Sequence, residues 1–290
     1  GGVSYISRGN VKIIEDERLA TCGEAIYNRE SGKTVLRINP LINDGDQKIS
    51  GNEIFLQYEE EELKEIYIPE KAQAQTLSSG IRETINVIDG DSTMSQEPLS
   101  FSDDMTGSIL RGFFKDGELD SVRLEGMATT LYHIFEDSIY QGNNRASGDT
   151  IVLKFGEDDL ESIFISGGSE GTYTPDSLGS DIDGKVVYQS DKIKYNMQDE
   201  STDLLGEANI DYTDMNLKAG FINVAWRSNL LKALPSSDKD STITPLRPTM
   251  IEEGNEPMVG DTMIYNLDSQ NGKVIRGKTK ADDGYYHGKE

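Results

Sequence analysis

Cysteine occurs once, at Cys22, and histidine twice, at His133 and His287. A single thiol excludes a disulfide within the chain. Cysteine and histidine together are too few for a zinc site. No run of eighteen apolar residues is present, so no segment has the composition of a membrane-spanning helix. No signal peptide is visible either, and the chain opens GGVSYISRGNVKII rather than with Met. It reads as an excerpt of a longer protein. Basic side chains are scarce, 28 against 52 acidic, for a net charge of −24. That balance argues against nucleic-acid binding, which needs clustered Lys and Arg. It also disfavours adhesion to an anionic membrane surface. The plain role of the charge is solubility.

Catalytic patterns are equally sparse. Each histidine sits beside a tyrosine, in LYHIF and YYHGK, with no Ser or Cys in a nucleophile motif. Both are expected to be structural or surface residues. The acidic clusters fall in turns, where charge means solvation. Asp181-Ile-Asp-Gly and Asp238-Lys-Asp look like fragments of calcium loops, but neither continues to the distant Glu that completes one. GNNRASGD, from Gly142, lacks the Lys-Ser/Thr ending and following helix of a phosphate loop. No catalytic residue, metal or cofactor is expected. Cys22, in an alternating stretch, reads as a small buried apolar residue.

What the chain does have is alternation and repetition. Gly51 opens GNEIFLQYEEEELKEIYIPEKA, Gly107 opens GSILRGFFKDGELDSVRLEGMA, and Gly148 opens GDTIVLKFGEDDLESIFISGGS. Three residues after the Gly come Ile54, Leu110 or Ile151, and five after it Leu56, Gly112 or Leu153. Seven after it comes an aromatic, Tyr58, Phe114 or Phe155, and twelve after it a leucine. Fifteen and seventeen after it come Ile66 and Ile68, Val122 and Leu124, or Ile163 and Ile165. A period of two on each side of a polar turn is the signature of an antiparallel hairpin. The leucine has the wrong parity for its strand and reads as a corner residue or a bulge. A second unit is marked by Tyr-Asn, in AIYNRESGKTVLRI, IKYNMQDESTDLLG and MIYNLDSQNGKVIRG.

The fold class expected is all-β. Stacked antiparallel hairpin repeats form an elongated structure whose two sheets enclose an apolar stripe. Gln73 to Asp104 reads as a polar loop or insertion, and Pro235 to Pro257, with four prolines, as another. Trp226 reads either as a buried strand tryptophan or as part of the wall of a lipid groove.

The cadence of GNVKIIEDERLATCGEAIYNRESGKTVLRI, from Gly9, resembles an OstA-type repeat. The stretch from about Gly184 to Lys289 resembles the periplasmic part of the LptD/OstA family of lipopolysaccharide-assembly proteins. It holds VVYQSDKIKYNMQDESTDLLGEANIDYTDMNLKAGFINVAW and GDTMIYNLDSQNGKVIRGKTKADDGYYHGK. The first part of the chain is similar to OstA-type and LptA-like domains in general. The resemblance implies two regions, 1–180 (OstA-type repeats, with the polar insertion near 73–104) and 181–290 (an LptD-like jellyroll, with the Pro-containing loop near 235–257). It implies a periplasmic β-jellyroll that shelters the acyl chains of lipopolysaccharide in an apolar groove. The implied partners are lipopolysaccharide, other jellyroll proteins of a transport bridge, and an outer-membrane barrel with its plug lipoprotein. The barrel would follow this excerpt and attach it to the outer membrane. Groove candidates are Ile54, Leu56, Tyr58, Ile66, Ile68, Leu110, Phe114, Val122, Leu124, Ile151, Leu153, Phe155, Ile163, Ile165 and Trp226. The alternative is a structural or adhesive β-repeat surface protein without lipid transport, whose interior would be filled.

Overall fold

The computed structural model describes residues 3–15, 18–88, 91–156, 160–236, 246–281 and 284–288. Among them are twenty-three strands and one three-residue 3₁₀ turn, Trp226–Ser228. The protein is all-β. Asp238-Lys-Asp and the side chain of His287 lie outside the described residues.

The strands make two facing sheets joined by long strands that run from one into the other. In the first sheet Glu53–Glu59 pairs with Glu62–Ile68, which pairs with Ile109–Lys115 and so on to the start of Glu118–Glu136. In the second, the end of Glu118–Glu136 pairs with the start of Ile139–Phe155, which pairs with the end of Leu160–Pro175. Registers shift in one zone across neighbouring strands, at 125–128, 147–150, 166–169, 189–192 and 205–208. Those shifts are corners. Tyr188 and Tyr195 prove one: they are seven residues apart in strand Val186–Asn196, yet their hydroxyls stand 2.7 Å from each other. A straight strand would separate their Cα atoms by ~23 Å.

The Gly that opens each repeat sits at this corner, and in two of the three, Gly51 and Gly148, geometry explains why it is Gly. A Cβ on Gly148 would lie 2.6 Å from Ile165 Cγ2, seventeen residues on. A Cβ on Gly51 would strike Ile68 Cγ2, at the equivalent position of its own unit. The corner closes only where the backbone can approach that side chain.

The parity of the leucine is resolved by a bulge. Gln57 pairs with Glu65 but Tyr58 with Leu63, leaving Lys64 as an extra residue. Asp120 and Glu161 are the extra residues of the other two hairpins. One inserted residue returns Leu63, Leu119 and Leu160 to the inward face.

Gln73 to Asp104, expected to be a polar loop or insertion, is not a loop. Ala72–Ile88 and Asp91–Gly107 pair along their whole length as a hairpin arm. Polar residues alternate on both faces, which hides a strand from a reading based on hydrophobic periodicity. Within Pro235 to Pro257, strand Thr249–Glu252 pairs with Met215–Ala225, so that segment too contains a strand. Trp226 is not a strand residue; it begins the 3₁₀ turn and is half-buried. Cys22 is buried.

Candidate functional site

The inward faces of the two sheets do not fill the space between them. A cavity of about 650 Å³ is lined from one side by Ile66, Leu110, Phe114, Leu153 and Ile163, and from the other by Ala74, Met105, Thr130 and Tyr132. A second, more open cavity of about 930 Å³ lies toward strand Ser4–Glu15 and is lined by Ala20, Ala25, Leu56 and Tyr58. Arg18 and Ile42 line both, so the two adjoin. Each volume falls in the range of ~300–1,000 Å³ typical of small-molecule sites.

The candidate residues sort by rung. Ile54, Ile68, Leu124, Ile151 and Ile165, at the third and seventeenth positions, have no solvent exposure. They sit next to the corner and are packed shut. Farther from the corner come the residues that line the cavities. There Leu56 and Tyr58 line the outer cavity, while Phe114, Val122, Leu153, Phe155 and Ile163 line the inner one, as does Ile66. Leu110, a third-position residue, also reaches the inner cavity because its neighbour Gly112 has no side chain to fill it. Trp226 lines neither. Its indole Nε1 donates to Thr202 Oγ1 at 2.8 Å, and its ring lies 5.4 Å from that of Tyr173, on the opposite sheet.

No protein-family model matches this sequence, and no curated protein matches it. Solved structures that match include the crystal structure of LptH, described as the LptA homologous periplasmic component of the conserved lipopolysaccharide transport device from Pseudomonas aeruginosa. Identity is 14%, the alignment covers 49% of this chain and 90% of that one, and the TM-score is 0.39. A likeness at that level fixes neither family nor activity.

Charge gathers at the cavity rims. Arg18 Nε donates to Asp44 Oδ2 at 3.1 Å, and its guanidinium lies 3.7 Å from Glu15. Tyr58 donates its hydroxyl to Glu15 at 3.2 Å. Burial first, and then the Glu15 charge, push the Tyr58 hydroxyl up to about 12. Its ring therefore keeps a neutral polar tip at the rim.

His133 illustrates a look-alike. Its Nδ1 lies 2.6 Å from Asp103 Oδ1, and its ring stacks on Phe101 at 4.1 Å. Ser78 donates to the other oxygen of the same carboxylate. The hydroxyl is thus on the acid rather than on the imidazole, so the histidine is not placed to take its proton. The group ties the hairpin arm to strand Glu118–Glu136. Among the described residues no cluster of three or more His, Cys, Asp or Glu side chains is placed to hold a metal.

Several lining residues were not among the groove candidates. Leu119 and Leu160 line the inner cavity, and their fixed place after the opening Gly was a usable signal. Ile42 and Ile49 stand in strands of four residues each, too short for a period to register. Ala74 and Met105 sit at the foot of the hairpin arm, Ala74 inside the stretch that reads as polar and Met105 just past it.

Proposed function

We propose that this chain is a lipid-carrying jellyroll that takes acyl chains of lipopolysaccharide between its two sheets and hands them on toward the outer membrane. One observation carries this reading: equivalent side chains of three repeats line a cavity that the protein leaves unfilled. Small cores do not leave such space by accident, because interiors normally pack to crystal density. Burying a methylene stabilises by about 0.8 kcal/mol, so a twelve-carbon chain gains on the order of 10 kcal/mol on leaving water. Similar apolar rungs offer a chain similar energies at successive positions within the slot.

In this reading Leu56, Tyr58, Ile66, Leu110, Phe114, Val122, Leu153, Phe155 and Ile163 touch the cargo. Ile54, Ile68, Leu124, Ile151 and Ile165 form the packed floor beneath it, and Trp226 closes the gap between the sheets. Head groups stay outside the acidic rim, with only the tails inside. The sequence resemblance adds the finer assignments. These are the two regions 1–180 and 181–290, an LptD-like second region, a periplasmic location, neighbouring jellyroll proteins, and a barrel with its plug lipoprotein. The reading involves no catalysis. A structural or adhesive role expects a filled interior, and the unfilled space argues against it.

The test is a pair of photo-crosslinking residues at Leu153, which lines the cavity, and at Lys154, which is exposed. They are ~3.3 Å apart along the strand and face opposite ways. Leu153 should capture lipopolysaccharide and Lys154 should not. Labelling at Lys154 alone, or at neither, rejects the reading.

A further inference from the structure

Asn144, Tyr188 and Tyr195 do not line the inner cavity, whereas Tyr132 and Met197 do. Behind them stands a polar cluster in an otherwise apolar interior. Asn144 Nδ2 donates to the Tyr132 hydroxyl at 3.0 Å, and the Tyr188 hydroxyl donates to Asn144 Oδ1 at 2.6 Å. The Tyr188 hydrogen is thereby used, so at 2.7 Å it is Tyr195 that donates to the Tyr188 oxygen. The Tyr132 and Tyr195 rings meet edge to face at 6.1 Å. Asn144, Tyr188 and Tyr195 are each 3% exposed or less. Burial raises the hydroxyls of all three tyrosines, which keeps them neutral and their hydrogens in place.

The cluster spans the interior. Tyr132, Asn144 and Tyr188 belong to the second sheet and Tyr195 to the first, by their strand partners. It therefore bolts the sheets together beside the inner cavity. Beyond it Leu204, Ile210, Leu217 and Ile222 have no solvent exposure; side chains occupy that space.

We propose that Tyr132, Asn144, Tyr188 and Tyr195 form a fixed wall across the lipid slot. The slot then admits a straight alkyl chain from the side of strand Ser4–Glu15 up to a set length and stops it there. This rests on the lipid reading of the cavity and deepens it, since it makes the slot a length gauge rather than an open pipe. The wall is rigid for a physical reason. Opening it strands a buried amide and three buried hydroxyls without partners, and such groups are costly to leave unpaired.

The experiment is displacement of an environment-sensitive apolar fluorophore by alkylphosphocholines of increasing chain length, each below its micelle concentration. The head group is constant and only the tail changes. Affinity should rise about fourfold per methylene while the chain still fits, then level off. Tyr132→Ala should move the break to longer chains. Tyr195→Phe, which keeps the ring, should leave it in place. Ala74→Leu, which fills the slot without deleting any of the wall, should move it to shorter chains and carries the test if Tyr132→Ala does not fold. A break caused by the detergent would be the same in every variant, and that result overturns the wall, as does affinity that climbs without a break. If no chain of any length displaces the probe, the lipid reading itself falls, and the wall with it.

Discussion

Arg82 and Asp176 hold each other across 94 positions of sequence: Arg82 Nε donates to Asp176 Oδ1 at 2.9 Å, and Nη2 donates to the same oxygen. The carboxylate is almost fully buried and also faces the amides of Leu178 and Gly179. The guanidinium carbon sits 5.6 Å from the centre of the Tyr140 ring. Together with Phe101 on His133, this contact fastens the hairpin arm to the ends of the second sheet.

Arg82→Ala leaves a buried carboxylate without its cation. Because the guanidinium is itself half-exposed, the expected loss is modest, about 1–2 kcal/mol. Amide hydrogen exchange should quicken through the arm, Ala72–Ile88 and Asp91–Gly107, and not in strand Val186–Asn196. Uniform change across the chain would show that the arm is not a separate unit.

Acid should release the same contact. Burial works against the Asp176 charge, but the Arg82 hydrogen bond and the two amides outweigh it and hold the carboxyl below the usual carboxylate range. A depressed carboxyl contributes stability above its unfolded value and loses it as pH falls through the folded one. Arm protection should therefore hold at neutral pH and fall only below the ordinary aspartate range. In Asp176→Asn this acid step should vanish.

At the alkaline end the sign reverses. Burial raises Tyr132, Tyr188 and Tyr195, and raises Tyr58 to about 12 with help from Glu15. Hydroxyls raised in the fold contribute stability below the ordinary tyrosine value and lose it as pH climbs past that value. Tyrosinate absorbance of the native protein should lag behind that of the urea-unfolded chain, and the missing part should emerge with unfolding. A full signal from all 13 tyrosines at the ordinary value, with the fold intact, would contradict their burial.

Rungs at the floor and rungs at the slot should differ in cost. Ile151→Ala opens a void in the packed floor and should cost ~2–5 kcal/mol. Leu153→Ala borders space that is already open, so its loss is expected at the low end, about 2 kcal/mol. Urea midpoints at constant slope measure both. A Leu153 loss equal to or above that of Ile151 would mean the cavity is closed in solution.

Gly148→Ala should destabilise by about 1–3 kcal/mol, because its new Cβ would press on Ile165 Cγ2 and the Ser166 carbonyl at the corner. Thermal unfolding checks this, and an unchanged midpoint would mean that the corner has room to spare.

Much of the architecture was legible in the residues. A period of two, polar turns and a Gly at a fixed phase dictate hairpins, because successive strand side chains alternate faces and a tight corner tolerates no Cβ beside an inward isoleucine. The same phase put Ile54, Leu153 and their equivalents on the inner face. Other features depended on partners far away in sequence. The hairpin arm has too little hydrophobic contrast to declare itself, and is held by Arg82 on Asp176 and Phe101 on His133. Whether an inward residue becomes floor or cavity lining depends on its distance from the corner and on its neighbours, as Leu110 beside Gly112 shows. The tyrosine cluster is the clearest case. Tyr132, Asn144, Tyr188 and Tyr195 are ordinary strand residues one by one, and only the folding of two sheets onto each other brings their hydrogen bonds together.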